Sequence, residues 1–136
     1  MFLTKECDYG LRAVRALSDG EKRTVDDICK RENIPGEYAY KILKKLERAG
    51  ILQSIRGRDG GYKLVKPLDS FSIHDIASAI DDNLFIFECL RESNECVHNP
   101  PNDVCKVHKE LNRIQAVLIG EMQRKTILEV MEVTFE

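Results

Sequence analysis

Residues 34–65 read IPGEYAYKILKKLERAGILQSIRGRDGGYKLV, and the spacing of their apolar residues changes period once. From about Glu37 to Ala49, the residues Ala39, Ile42, Leu43 and Leu46 recur at helical intervals, which leaves Tyr38, Lys41, Lys44, Lys45 and Arg48 facing largely outward. Gly50 is a natural C-terminal stop. Beyond it, ILQSI (51–55) and YKLV (62–65) are short apolar-rich runs separated by RGRDGG (56–61). This is the pattern of a β-hairpin closed by a glycine-containing loop, with two arginines at its tip.

The residues before this stretch complete a helix-turn-helix. Cys7, Leu11, Val14 and Leu17 follow one another at steps of four, three and three, one face of a helix that begins near Thr4 and is ended by Gly20. Thr24-Val-Asp-Asp27 has the form of a capping box and opens a short helix to about Arg31 that buries Val25, Ile28 and Cys29. In Asn33-Ile-Pro-Gly36 the proline lacks an amide donor and the glycine tolerates unusual dihedrals, so this is the turn. Helix, turn, helix and hairpin in that order make a winged helix. Such a fold lays its second helix in the DNA major groove and lets the wing reach a neighbouring minor groove or phosphates.

Charge falls on the same two elements. From Tyr38 to Lys66 there are eight basic residues (Lys41, Lys44, Lys45, Arg48, Arg56, Arg58, Lys63, Lys66) against two acids (Glu47, Asp59), although the whole chain carries a formal net charge of −2. A lysine-rich solvated face would look the same by charge alone. A basic second helix joined to a basic wing points to double-stranded DNA.

The remaining composition bounds the answer. At 136 residues, 43% hydrophobic and 32% charged, the chain suits one compact domain with an added element, without internal repeats or low-complexity tracts. No run of eighteen apolar residues is present, so no membrane partner is expected. The start, MFLTKECDYGLR, introduces charge too early for a signal peptide, and a cytoplasmic protein is expected. Five cysteines, an odd count, suggest thiols or thiolate ligands rather than structural bridges. No paired carboxylates, phosphate-cradling loop or nucleophile with an evident base suggests an enzyme.

Four stretches carry a further likeness: Thr4-Lys5-Glu-Cys-Asp8-Tyr9, Ile34-Pro-x-x-Tyr38, Lys45-Leu-x-x-Ala-Gly50 and Arg56-Gly57-Arg-Asp-Gly60-Gly61-Tyr62. On these the chain resembles the IscR and NsrR group of bacterial winged-helix transcriptional regulators. The likeness extends over nearly the full length, through a capped helix at Ser72-Ile-His-Asp75, a cysteine-bearing loop and a long last helix. It implies a mainly α fold with a small β-hairpin, a winged helix-turn-helix plus a long C-terminal dimerisation helix. The implied division is 1–82 for DNA binding, 83–105 for a cluster-binding loop, and 106–136 for the dimerisation helix and a short final helix. The resemblance aligns Lys41 with a base-reading position, assisted by Tyr38 and Tyr40. Arg58 is the wing residue for the minor groove, Arg56, Lys44 and Lys45 are candidates for phosphate, and Gly60, Gly61 and Tyr62 of the wing motif complete the DNA-binding set, Tyr62 as a packing residue that can also touch phosphate. Ala39-Tyr40 stands where relatives often have Leu-Glu, so the preferred operator is expected to differ from theirs.

The segment CLRESNECVHNPPNDVCKVH (89–108) holds three cysteines and two histidines. The two prolines in Asn99-Pro-Pro-Asn-Asp103 exclude regular helix or central strand, so a bound metal would supply the order that backbone ladders cannot. Thiolates are soft ligands that suit iron-sulfur clusters or zinc, and imidazole suits either. The resemblance implies an iron-sulfur cluster on Cys89, Cys96 and Cys105, with [2Fe-2S] ranked ahead of [4Fe-4S]. Intervening runs of six and eight residues are wider than in the better-known members. His108, three residues after Cys105, is the leading fourth ligand. Asp8 of the partner subunit and His98 are the competitors. A Cys3His zinc site uses the same donors, and free thiols are the plainest alternative. Cys7 and Cys29 read as core residues, and His74 as a surface residue.

Beyond the loop, Val107, Leu111, Ile114, Leu118 and Met122 form a stripe on a helix from about Asp103 to Arg124, whose simplest partner is the same helix of a second copy. Thr126-x-x-Glu129 would cap a final short helix beside it. The expected function is a DNA-binding regulator, a repressor, whose operator affinity follows an iron-sulfur cluster sensing iron, redox state or nitric oxide. The alternative is a cluster-free or zinc-bound regulator controlled by a partner protein or metabolite.

Overall fold

The computed structural model describes residues 3–82, 84–91 and 105–132. Cys96, His98 and Asn99–Asp103 lie outside the described residues. The elements run α1 (Lys5–Ala16), α2 (Val25–Glu32), α3 (Gly36–Arg48), β1 (Leu52–Ile55), β2 (Gly61–Leu64), α4 (Ile73–Ile80), α5 (Lys106–Gln123) and α6 (Ile127–Met131), with single 3-10 turns at Leu68–Ser70 and Glu88–Leu90. This is the mainly α winged helix-turn-helix with a long late helix that the apolar spacing predicts.

The local signals act as their chemistry requires. Thr4 Oγ1 accepts from the Cys7 amide at 3.4 Å, and Thr24 Oγ1 from the Asp27 amide at 3.1 Å. The predicted box at Thr24 is only half made, because the Asp27 carboxylate turns to Arg31 (3.0 Å) and Arg23 (3.8 Å). The complete box is at α4: Ser72 Oγ accepts from the Asp75 amide, and Asp75 Oδ2 accepts from the Ser72 amide at 2.8 Å. Asn33 ends α2 in the left-handed region at φ 52°, a conformation asparagine tolerates better than most residues.

One core joins all these elements. Val14, Leu17, Ile28, Ile42, Leu43 and Leu46 interlock beneath the helix-turn-helix, and Ile51 and Leu52 attach the hairpin to them. α4 lies across α1 where Gly10 lets it come close: a Cβ on Gly10 would stand 2.8 Å from Ile80 Cγ1. The hairpin is antiparallel with Leu52 opposite Leu64 and Ile55 opposite Gly61. It is not free-standing. Tyr62 exchanges two backbone hydrogen bonds with Arg23 in the α1–α2 connection, at 3.0 and 2.8 Å. Gly61 makes that approach feasible, since a Cβ there would overlap the Arg23 carbonyl oxygen.

The chain end returns to the same core. The Ile127 amide donates to the Phe71 carbonyl at 2.9 Å, Ser72 and Thr126 form a bridge, and Ile127 is fully buried. The predicted cap is present, Thr126 Oγ1 accepting from the Glu129 amide at 3.2 Å, and α6 packs on the turn at Leu68–Ser70. α5 divides the predicted stripe: Leu118 and Met122, with Ile119, pack on the core. Val107, Ile114 and Val117 stay 66%, 41% and 56% exposed.

Two substitutions check this packing. Ile127→Ala should cost about 2–5 kcal/mol by deleting a buried side chain, seen as a lower denaturant midpoint. Gly61→Ala should cost about 1–3 kcal/mol and speed hydrogen exchange of the Arg23 and Tyr62 amides.

Candidate nucleic-acid interface and thiol segment

α3 and the wing present the predicted basic surface, and the structure separates its charges into two groups. Among the described residues Lys44, Arg48, Arg56 and Arg58 are exposed and take part in no ion pair. Lys41 and Lys45 instead turn to Glu6 on α1. Lys41 Nζ stands 3.1 Å from Glu6 Oε1 and Lys45 Nζ 3.5 Å from Oε2, while Lys45 Nζ also donates to the Ile80 carbonyl at 2.8 Å. The hydrogen bond from Lys41 holds the Glu6 carboxyl below its ordinary range against a smaller opposing effect of burial, and the two lysine charges add to it.

The tyrosines are placed differently from one another. Tyr40 is 61% exposed and faces a groove between the start of α2 and the wing, lined also by Thr24, Arg56, Arg58 and Tyr62. Tyr38, at the edge of exposure, stacks obliquely on Tyr9 with ring centroids 5.6 Å apart, and Arg12 lies over the Tyr9 ring at 5.9 Å. Tyr62 is buried, and burial pushes its phenol upward, reinforced by the Glu47 charge. It therefore packs the wing's base. Gly60 and Gly61 are close-contact positions: a Cβ on Gly60 would meet the Ile55 carbonyl oxygen at 2.5 Å. The two glycines of the wing motif thus answer to backbone crowding.

Arg23 was not singled out by sequence reasoning, yet it organises this surface. Its Nε donates to the Ala16 carbonyl at 2.9 Å, and its guanidinium pairs with Asp19 and Asp27. Its position between a glycine-terminated helix and a Thr cap was the one available sign. Arg15 closes α1 onto α2 through Glu32 at 2.6 Å.

Cys89, Cys105 and His108 of the thiol segment fall within the described residues. Cys89 sits in the Glu88–Leu90 turn, which contacts α5, and the preceding Ile86 amide donates to Gln115 Oε1 on α5 at 3.1 Å. Cys105 is the N-cap of α5, its carbonyl accepting from the Lys109 amide at 3.0 Å. His108 follows on the first turn, and its Nδ1 is buried with no hydrogen-bond partner among the described residues. A buried imidazole nitrogen left so is costly unless something binds it. Among the described residues no three His, Cys, Asp or Glu side chains converge as a metal site. Asp8 is half exposed and paired with Arg12 at 3.1 Å. Cys7 is buried. Cys29 is half-buried, its thiol pushed up by burial, and His74 Nδ1 lies 3.4 Å from Gln123 Nε2. No helix of the described residues is long and apolar enough to cross a membrane.

The fold is shared by solved regulators. CymR (YrzC), the global cysteine regulator of B. subtilis, superposes with a TM-score of 0.74 at 22% identity over 99% of both chains. IscR of T. potens superposes at 0.71 and 16% identity, over 100% of this chain and 94% of that one. In sequence, protein aau3 of Rhizobium meliloti (strain 1021) is 29% identical over 129 residues, 93% of this chain and 82% of that protein. The Rrf2 family, described as iron-dependent transcriptional regulators, matches residues 3–133. With a winged helix carrying unpaired cations on its second helix and wing tip, and a match across almost all its residues, the chain belongs to the Rrf2 family of transcriptional regulators.

Proposed function

We propose that this protein is a homodimeric repressor that grips a palindromic operator through α3 and the wing. Its operator affinity is set by an iron-sulfur cluster on Cys89, Cys96, Cys105 and His108. The observation that carries the cluster half is the His108 imidazole, whose buried Nδ1 lacks a partner among the described residues three positions after a cysteine on the same helical turn. The donor set fits a soft-metal group: two thiols and an imidazole on elements that touch, with Cys96 beyond the described residues. His108 is preferred to Asp8 of the partner subunit, because its place three residues after Cys105 leaves less ordering entropy to overcome. When bound, such a cluster supplies a group gained or lost with iron supply, oxygen or nitric oxide, and [2Fe-2S] is preferred to [4Fe-4S].

The chain's own residues do the reading. Lys41 takes a base edge in the major groove with Tyr40 beside it, Arg58 enters the minor groove, and Arg56 and Lys44 hold phosphate. Residues 1–82 form the reading head. Residues 83–105 carry the sensing segment, and 106–136 dimerise through the exposed Val107, Ile114 and Val117, with α6 returning to the head. The sensing state acts only if it favours one spacing of the two heads. A second reading has a cluster-free or zinc-bound regulator answering to a partner protein or metabolite. Its cluster-free form needs no three converging donors, and none converge among the described residues.

Oxygen-free purification, a visible spectrum and iron and sulfide analysis separate the two: a brown protein is expected. Cys96→Ala should lose the colour and remain a dimer by light scattering; a full spectrum retained would remove Cys96 from the site. If the wild type stays colourless after reconstitution and binds DNA equally before and after chelator, the second reading holds. Arg58→Ala should weaken operator binding by about 1–3 kcal/mol, and equal binding at every salt concentration would take the wing out of the interface.

A further inference from the structure

We propose that Glu6, which lies outside both the recognition helix and the wing, sets the ratio of operator binding to non-specific binding by keeping Lys41 and Lys45 in internal ion pairs. The inference rests on the operator-binding reading above. Glu6 belongs to the first turn of α1, and its two carboxylate oxygens face two lysines one helical turn apart on α3. The two lysines are held unequally. Lys45 has a second acceptor in the Ile80 carbonyl at the end of α4, and its side chain is 28% exposed. Lys41 has only the carboxylate among the described residues and is 58% exposed.

The difference decides which lysine exchanges. A half-exposed ion pair contributes about 0–1 kcal/mol, so Lys41 leaves Glu6 readily when a base edge offers better geometry. Lys45, with two acceptors on two packed elements, stays as a strut between α3 and α4. On non-cognate DNA no base edge is positioned for Lys41. It remains with Glu6, whose carboxylate offsets one of the two lysine charges before the phosphates. Glu6 thus withholds one cation from non-specific binding while releasing it for readout. Glu6 acts through Lys41 and touches no DNA, which makes it a positioning residue.

The test compares a duplex selected by the wild-type protein from a random pool with a scrambled duplex of equal length. In Glu6→Gln, binding of the scrambled duplex should strengthen, and its loss of affinity between 50 and 200 mM salt should grow by about threefold, the effect of one more phosphate contact. The operator should gain less, so the ratio narrows. Lys41→Met, an exposed change that leaves the core alone, should weaken the operator more than the scrambled duplex, because only the operator draws Lys41 away from Glu6. In that background Glu6→Gln should lose most of its effect. An unchanged ratio in Glu6→Gln, an effect of equal size with and without Lys41, or equal weakening of both duplexes by Lys41→Met would overturn the proposal. A wild-type protein that selects no duplex would overturn the operator-binding reading with it.

Discussion

The two hydrogen bonds between Arg23 and Tyr62 place the wing, and the placing of the wing makes this a reading head rather than a helical bundle with a loose hairpin. Two strands of four residues have little stability alone in water. Here β2 gains a second partner, one residue long, from the connection between α1 and α2. The same Arg23 has its guanidinium, mostly buried, on the Ala16 carbonyl and the carboxylates of Asp19 and Asp27. One residue therefore fixes the end of α1, the start of α2 and the base of the hairpin. Every angle between α3 and the wing tip follows from that junction and from the burial of Ile51, Leu52 and Tyr62.

On that frame the basic surface is not a uniform field. Cations at the wing tip and on the outer side of α3 take part in no ion pair among the described residues, while the two facing α1 share the single carboxylate of Glu6. A composition count treats all of them alike. Free cations contribute to the salt-dependent attraction common to any DNA, and a cation held in an exchangeable pair contributes only where something better than the pair is offered.

Much of this arrangement can be read from local pattern because it is local. The helices follow from apolar spacing, the caps from Thr24, Ser72 and Thr126, and the hairpin from two short runs around RGRDGG; each signal lies within a few residues of its effect. What escaped reading is non-local. The Arg23 bridge joins residues far apart in the chain. Ile127 docks under Phe71 instead of simply lying beside α5. The stripe on α5 splits because an amphipathic pattern states that a face is apolar without stating what covers it. Lys45, outward by periodicity, is turned inward by a carbonyl and a carboxylate on other helices. In the thiol segment the donors were visible as residue types, and no three of them converge among the described residues.

For the sensing role proposed above, the position of α5 sets the mechanics. The helix has 18 residues, about 27 Å at 1.5 Å per residue. Its C-terminal half is fastened, with Leu118, Ile119 and Met122 on the core and Ile127 beneath Phe71 just after it. Its N-terminal end carries Cys105 and His108, and between them and the fastened half Gln115 holds the Ile86 amide. Ile86 lies shortly after Ile80, whose carbonyl holds Lys45 of α3. A group taken by His108 would thus act on a rod fixed at its far end and on a short segment tied at the other side to the recognition helix. Coupling needs an element with two arrangements, and the described residues of this segment hold a single 3-10 turn, at Glu88–Leu90, against α5.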